Sequence, residues 1–157
     1  MPYTLAPDPG PKPLLRGWAH LISFPLWLVV GISMLVLANT TPMGRLLLAI
    51  YVGGTAIMFG VSAMYHRGRW QPQAKALMQK FDRSAIFLAI AGGFTPVAWA
   101  CLHGNTRWFV LAFAWLGAVL GIVLHWLPRV PRAVRGASYI VVSWAGILVF
   151  PQMYSSL

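Results

Sequence analysis

Three polar side chains stand where long apolar stretches of the sequence end or begin. Ser62 and His66 are four residues apart in the segment SAMYH, at the end of the second apolar stretch, and Asp82 opens the third in FDRSAIF. Residues four apart share one face of a helix, so a helix here would place the hydroxyl beside the imidazole. A short connection returns the chain between the two stretches, which predicts that Asp82 lies near this pair.

These residue types are suited to metal-dependent hydrolysis. Neutral imidazole is a good zinc ligand, and a carboxylate can bind the metal or orient a ligand beside it. Zinc lowers the pKa of a bound water to about 7, which makes hydroxide available. Catalytic zinc usually has three protein ligands, so His66 and Asp82 do not complete a site. The alternative is structural, with His66 an interfacial histidine and Asp82 paired with Arg83 or Arg67.

Two further histidines are candidate ligands by position. His20, at the start of the first apolar stretch, and His125, near the end of the fourth, are predicted on the same side of the fold as His66. The alternative for each is an interfacial or packed histidine. His103 is predicted on the other side of the fold and is expected to play no part in such a cluster.

The elements that position these residues are membrane-spanning helices. Of the 157 residues 59% are hydrophobic and 9% are charged, against about 25% charged in ordinary soluble domains. This composition excludes a soluble globular domain, a disordered tail and a disulfide-rich secreted module. We predict an all-α, multi-pass membrane bundle in which each span has about 20 residues. A Pro-rich cytosolic arm (1–17) precedes a transmembrane domain (18–157) with spans at about 18–38, 46–65, 84–102, 108–127 and 136–157.

The distribution of basic residues predicts the orientation. Ten of the twelve Lys and Arg residues fall on the side that holds the N-terminus, and only Arg45 and Arg107 fall on the other. Positive charge accumulates on the cytoplasmic side of membrane proteins, so we predict a cytosolic N-terminus in the cell (inner) membrane. The same pattern assigns the net charge of +10 to contact with membrane lipids and argues against nucleic acid as a partner.

The segments that carry the candidate residues resemble a known family. Ser62-Ala-Met-Tyr-His66, followed by Asp82-Arg-Ser-Ala-Ile-Phe and a Gly-x-x-Thr-Pro element ending at Pro96, is similar to the hemolysin III family. This family is the bacterial branch of the progestin and adipoQ receptor superfamily. The start of the first span, Trp18-Ala-His20, is similar as well.

The resemblance implies a fold and a site. Members have seven transmembrane helices with a cytosolic N-terminus and a zinc site near the cytosolic face. It implies that His66 is a zinc ligand, that Asp82 stands where an aspartate holds a zinc-linked water, and that Ser62 lies beside it. The animal receptor branch is associated with ceramidase-like hydrolysis of lipid amides. The bacterial branch is named for a haemolytic, pore-like activity.

Two departures from the family pattern affect the predicted site. Arg83 follows the aspartate where the family usually has a histidine, and the His-x-x-x-His pair of the family's final helix is absent from this sequence. We therefore expect either a piece of a longer protein or a short member with an incomplete site. The first predicted function is a zinc-dependent membrane hydrolase of lipid amides, and the alternative is a non-enzymatic sensor, scaffold or oligomeric pore-forming protein. A small transporter ranks last, because the sequence shows neither an inverted repeat nor a charged mid-membrane pathway.

Overall fold

Five helices follow one another in the part of the chain that the structure describes. The computed structural model describes the backbone of residues 17–155 and the side chains of residues 17–144 and 154. Connections of two to five residues make each helix antiparallel to the one before it. The helices are α1 (Trp18–Leu37), α2 (Pro42–Arg67), α3 (Pro72–Cys101), α4 (Gly104–Trp126) and α5 (Arg132–Ser155). The predicted arm lies outside the described residues except for Gly17.

Four of these helices have the length and hydropathy to cross a membrane, namely α1 to α4. Their apolar side chains are exposed over much of the surface, as in Leu26 of α1 and Leu116 of α4, which are 61% and 70% exposed. Such a surface is stable only in lipid, so the prediction of an all-helical membrane bundle is confirmed. Side chains 145–153 of α5 are not described, and the fifth span stays a prediction.

Proline and threonine fix where the helices begin. Pro42 and Pro72 occupy the first position of α2 and α3, where the missing N–H removes no hydrogen bond. The side chain of Thr41 accepts a hydrogen bond from the Gly44 N–H at 3.1 Å and caps α2. α3 begins at Pro72, whereas the apolar span predicted for it begins at Ser84, because polar residues continue the helix beyond the apolar part.

The third helix is the centre of the bundle. It packs against α2 and α4, and also against α5, while α1 contacts only α2. A buried cluster joins α3, α4 and α5 and is formed by Phe87, Ala91, Ala114, Ala118 and Val142. Small residues on α4 let the Phe87 ring lie between the helices, so the core is held by close packing and not by large side chains on every helix.

Two glycines set the register between α2 and α3. A Cβ on Gly54 would stand 2.8 Å from the carbonyl oxygen of Leu88, and one on Gly92 would stand 3.1 Å from that of Ile50. The backbones therefore approach as closely as they do because no side chain intervenes. These two contacts define which residues of the antiparallel helices are level with one another.

Most of the positive charge lies at one end of the bundle. We call the basic end the one where α1, α3 and α5 begin and where α2 and α4 end. Within the described residues it carries Arg67, Arg69, Lys75, Lys80, Arg83, Arg129, Arg132 and Arg135. The opposite end carries Arg45 and Arg107.

Candidate functional site

The last turns of α2 bring Ser62 and His66 to the basic end. Both lie within the helix, so the four-residue spacing places them one above the other on the same face. Ser62 is 5% exposed, whereas His66 is half-buried. The Tyr65 ring centroid is 4.7 Å from that of His66. The buried hydroxyl thus lies one turn deeper in the bundle than the imidazole.

The start of α1 packs against this end of α2. The rings of His20 and His66 are nearly parallel, with centroids 6.2 Å apart and planes inclined by 15°. Nearer the end of the bundle, Arg67 follows His66 and Trp18 is two residues before His20. The Arg67 guanidinium lies 4.6 Å from the centroid of the Trp18 ring, a cation–π contact. Gly17, with φ of 82°, has no side chain to collide with His66. Two imidazoles from different helices therefore face each other at the basic end.

Asp82 lies on the facing helix α3 and is half-buried. The register set by Gly54 and Gly92 makes Asp82 level with a residue two positions before Ser62. At 1.5 Å per residue, the Cα of Asp82 is offset along the axis by about 3 Å from Ser62 and by about 9 Å from His66. Along the helix axis, Asp82 is thus closer to Ser62 than to His66.

The donor set for a metal is incomplete in the described residues. Among residues 17–144 and 154, no three His, Cys, Asp or Glu side chains lie close enough to hold one metal ion. His20 and His66 are two histidines with adjacent rings, and catalytic zinc usually takes three protein ligands. The described side chains therefore do not by themselves fit a catalytic zinc.

His125 belongs to a different part of the bundle. Its side chain is 4% exposed, and Nδ1 donates a hydrogen bond to the Gly121 carbonyl at 2.9 Å. Its ring packs against Phe87 of α3 and Tyr139 of α5, with centroids 5.4 and 5.0 Å away. Because α4 contacts neither α1 nor α2, the structure separates His125 from His20 and His66. His103 is exposed at the opposite end, at the start of α4.

A buried hydrogen-bond chain lies in the Gly-x-x-Thr-Pro element, and sequence reasoning did not identify it. Thr95 Oγ1 donates to the Ala91 carbonyl at 2.8 Å and accepts from Trp115 Nε1 at 3.1 Å. Ser84 makes a similar link, since its Oγ accepts from Trp126 Nε1 at 3.1 Å. Both links join α3 to α4. The sequence feature that could have predicted these bonds is a hydroxyl residue within an apolar helix, because a buried polar group takes a hydrogen-bond partner.

Comparison with known proteins gives the same family as the sequence motifs. The model of the "Haemolysin-III related" family matches residues 10–157. The chain is similar to Hemolysin-3 of Bacillus cereus, with 33% identity over 88 residues, which is 55% of this chain and 40% of the relative. It is also similar to the Hemolysin-3 homolog of Bacillus subtilis (strain 168), with 31% identity over 87 residues, 54% of this chain and 40% of the relative. These matches cover less than half the length of either relative. Because the family model covers nearly the whole sequence, the chain belongs to the haemolysin III-related family.

Proposed function

We propose that this protein is a zinc-binding membrane protein that hydrolyses lipid amides from the basic end of its bundle. The observation that carries the proposal is the facing pair of imidazoles, His20 and His66, with the buried hydroxyl of Ser62 one turn deeper. Membership in the haemolysin III-related family supports it, since the resemblance implies that Ser62, His66 and Asp82 belong to the family's zinc site.

The roles of the residues follow their chemistry. His66 would hold zinc, and the hydroxyl of Ser62 and the carboxylate of Asp82 would orient water beside it. Zinc, when bound, supplies hydroxide near neutral pH. With His20 as the second ligand, a third would come from outside the described residues or from a second chain, since the described side chains provide no group of three.

The first test is zinc content per chain in the detergent-purified protein. We expect near-stoichiometric zinc in the intact chain, loss of most of the zinc in His66→Ala, and a smaller loss in Asp82→Asn. His103→Ala is the matched control, because His103 is exposed at the opposite end, and it should leave zinc unchanged. An intact chain without zinc contradicts the proposal.

The second test is hydrolysis. A ceramide in mixed micelles should lose its fatty acid in the presence of the intact chain and not with Asp82→Asn or Ser62→Ala. Stoichiometric zinc without hydrolysis would reject the enzyme and retain the metal site.

A second candidate is a non-enzymatic membrane protein, either a sensor or scaffold or an oligomeric pore. The incomplete donor set among the described side chains favours it. Release of a dye from lipid vesicles distinguishes the pore, because it requires no zinc. Dye release by the intact chain and by His66→Ala alike would support the pore.

We also propose that the protein lies in the inner membrane with its N-terminus in the cytosol. The support is the accumulation of Lys and Arg at the basic end, since positive charge marks the cytoplasmic side.

A further inference from the structure

The start of α1 is held in the bundle by one neighbouring helix. Among the described residues, α1 packs against α2 and against no other helix. Gly31 is the single buried residue of α1, so most of this helix is exposed to lipid. Within the described part of the chain, the position of His20 relative to His66 therefore depends on the contacts between α1 and α2.

Pro25 divides α1 into two parts that contact α2 separately. Beyond it, Trp27 Nε1 donates to the Val52 carbonyl at 3.1 Å, and the Gly31 backbone lies against the Val52 side chain. Proline removes one backbone hydrogen bond from a helix and is a point where the helix bends. The contacts at Trp27 therefore do not fix the direction of the first two turns, and other contacts must hold His20 in place.

The first of these contacts is at Gly17, the residue before α1. Its backbone lies directly against the side chain of His66, since a Cβ on Gly17 would stand 2.5 Å from the His66 Cβ. Gly17 also has φ of 82°, a left-handed conformation that glycine adopts without strain. A side chain at this position would strain the backbone and push the start of α1 away from His66.

The second contact joins Trp18 to Arg67. The guanidinium lies 4.6 Å from the centroid of the indole ring, within the range of a cation–π contact. Trp18 comes two residues before His20, and Arg67 directly follows His66. The contact therefore joins the ends of α1 and α2 just beyond the two imidazoles.

We propose that Gly17, Trp18 and Arg67 are positioning residues for the His20–His66 pair. Gly17 permits the close approach of the two helices, and the cation–π contact keeps their ends together. The result is the observed distance of 6.2 Å between the imidazole centroids. Glycine has no side chain, and indole and guanidinium have no acceptor, so these residues act on a metal only through the histidines. The effect on zinc rests on the proposed function, whereas the position of α1 can be measured without metal.

The position of α1 is tested in zinc-free protein. Spin labels on Ile22→Cys and Met64→Cys, two exposed positions, in a Cys101→Ser background report the distance between α1 and α2 by electron paramagnetic resonance. We expect the distance distribution to lengthen or broaden in Gly17→Ala and in Arg67→Gln, because the start of α1 moves away. Arg67→Lys should retain the distance, since it keeps the cation. An unchanged distance in Gly17→Ala or in Arg67→Gln overturns the proposal.

The opposite end of the bundle supplies a matched control for each change. Gly104 also has a left-handed φ, of 57°, but a Cβ there would meet nothing within 4 Å. The Arg107 guanidinium lies 4.5 Å from the centroid of the Trp99 ring, the same type of contact as that of Arg67. Gly104→Ala and Arg107→Gln should therefore leave the distance between α1 and α2 unchanged. An equal change in these controls would indicate a general loss of folding and overturns the proposal.

Zinc affinity per folded chain tests the consequence for the site. We expect Arg67→Gln to weaken zinc binding about two- to fivefold, the strength of an exposed cation–π contact. Arg67→Lys should recover most of this loss. Trp18→Leu should have the same effect as Arg67→Gln, and the double variant should bind no more weakly than either single one, because both remove one contact.

The two measurements separate this proposal from the proposed function. An altered distance in Arg67→Gln with unaltered zinc affinity would mean that the contact positions α1 but not the histidine pair, which overturns the proposal. An intact chain that binds no zinc rejects the proposed function, and the zinc-free distances then still decide whether Gly17 and Arg67 position α1.

Discussion

Single hydrogen bonds carry much of the specificity of this bundle, because apolar side chains gain little by leaving lipid for one another. Thr95 is the clearest case. The residue is 4% exposed, and its hydroxyl connects the Ala91 carbonyl on α3 to the Trp115 indole on α4. The threonine fixes which face of α4 meets α3, a task that an apolar side chain of the same size cannot perform.

We therefore expect Thr95→Val to destabilise the bundle by about 1 kcal/mol, the scale of a buried hydrogen bond between membrane helices. The change preserves the shape and leaves the indole N–H of Trp115 without its acceptor. Unfolding in mixed detergent micelles gives the free energy. In the double variant Thr95→Val/Trp115→Phe both partners are gone, and the cost should be less than the sum of the two single changes. Additive costs would contradict the coupling.

The histidines also differ at the residue scale. His20 faces His66, whereas His125 is packed among Phe87 and Tyr139. We expect His20→Ala to reduce zinc retention without loss of stability, and His125→Ala to lower stability while each folded chain keeps its zinc. Zinc content and unfolding, measured on the same preparations, separate the two effects. Loss of zinc in His125→Ala alone would place the site elsewhere.

At the scale of elements, the contact between α2 and α3 determines the position of the candidate site. The backbones meet at Gly54 and Gly92, and this register makes Asp82 level with the region of Ser62. A change of one turn would move the carboxylate by about 5.4 Å along the axis. Glycine packing in the middle of the membrane thus sets the geometry at the basic end.

The adjacent glycines of α2 allow a matched test of this contact. A Cβ on Gly54 would meet the carbonyl oxygen of Leu88 at 2.8 Å, whereas a Cβ on Gly53 would meet nothing within 4 Å. We expect Gly54→Ala to cost about 1–3 kcal/mol through overpacking against backbone, which cannot rotate away. Gly53→Ala should be neutral, or stabilising by up to about 1 kcal/mol, because alanine favours helix. Equal effects of the two changes in detergent unfolding would rule out the close approach.

At the scale of the whole molecule, charge and exposed apolar surface act together. The helices expose large apolar side chains along their length, and the described Lys and Arg residues concentrate at the basic end. Such a molecule is embedded in lipid, and its basic end lies at one membrane surface. The orientation we propose makes that surface cytoplasmic.

Cysteine labelling tests the orientation in intact cells. In a Cys101→Ser background, we expect Thr40→Cys, in the connection at the opposite end, to react with a membrane-impermeant maleimide. Gln73→Cys, exposed at the basic end, should react only after the membrane is permeabilised. Labelling of Gln73→Cys in intact cells would invert the proposed topology.

The sequence by itself determined the membrane class, the helical periodicity and the family. Runs of about 20 apolar residues leave no alternative to helices in lipid, because every backbone N–H and C=O must be paired within its own segment. The spacing of Ser62 and His66 likewise determined that they share a face. These are local properties, which depend only on neighbours along the chain.

Contacts between distant residues were decided only by the tertiary structure. His20 and His125 looked equivalent in the sequence, since each lies at the same end of an apolar stretch. Folding set His20 against His66 and placed His125 in the α3–α4–α5 core. The physical reason is that helix rotation and register depend on close packing at glycine and on buried hydrogen bonds, which involve residues on different helices.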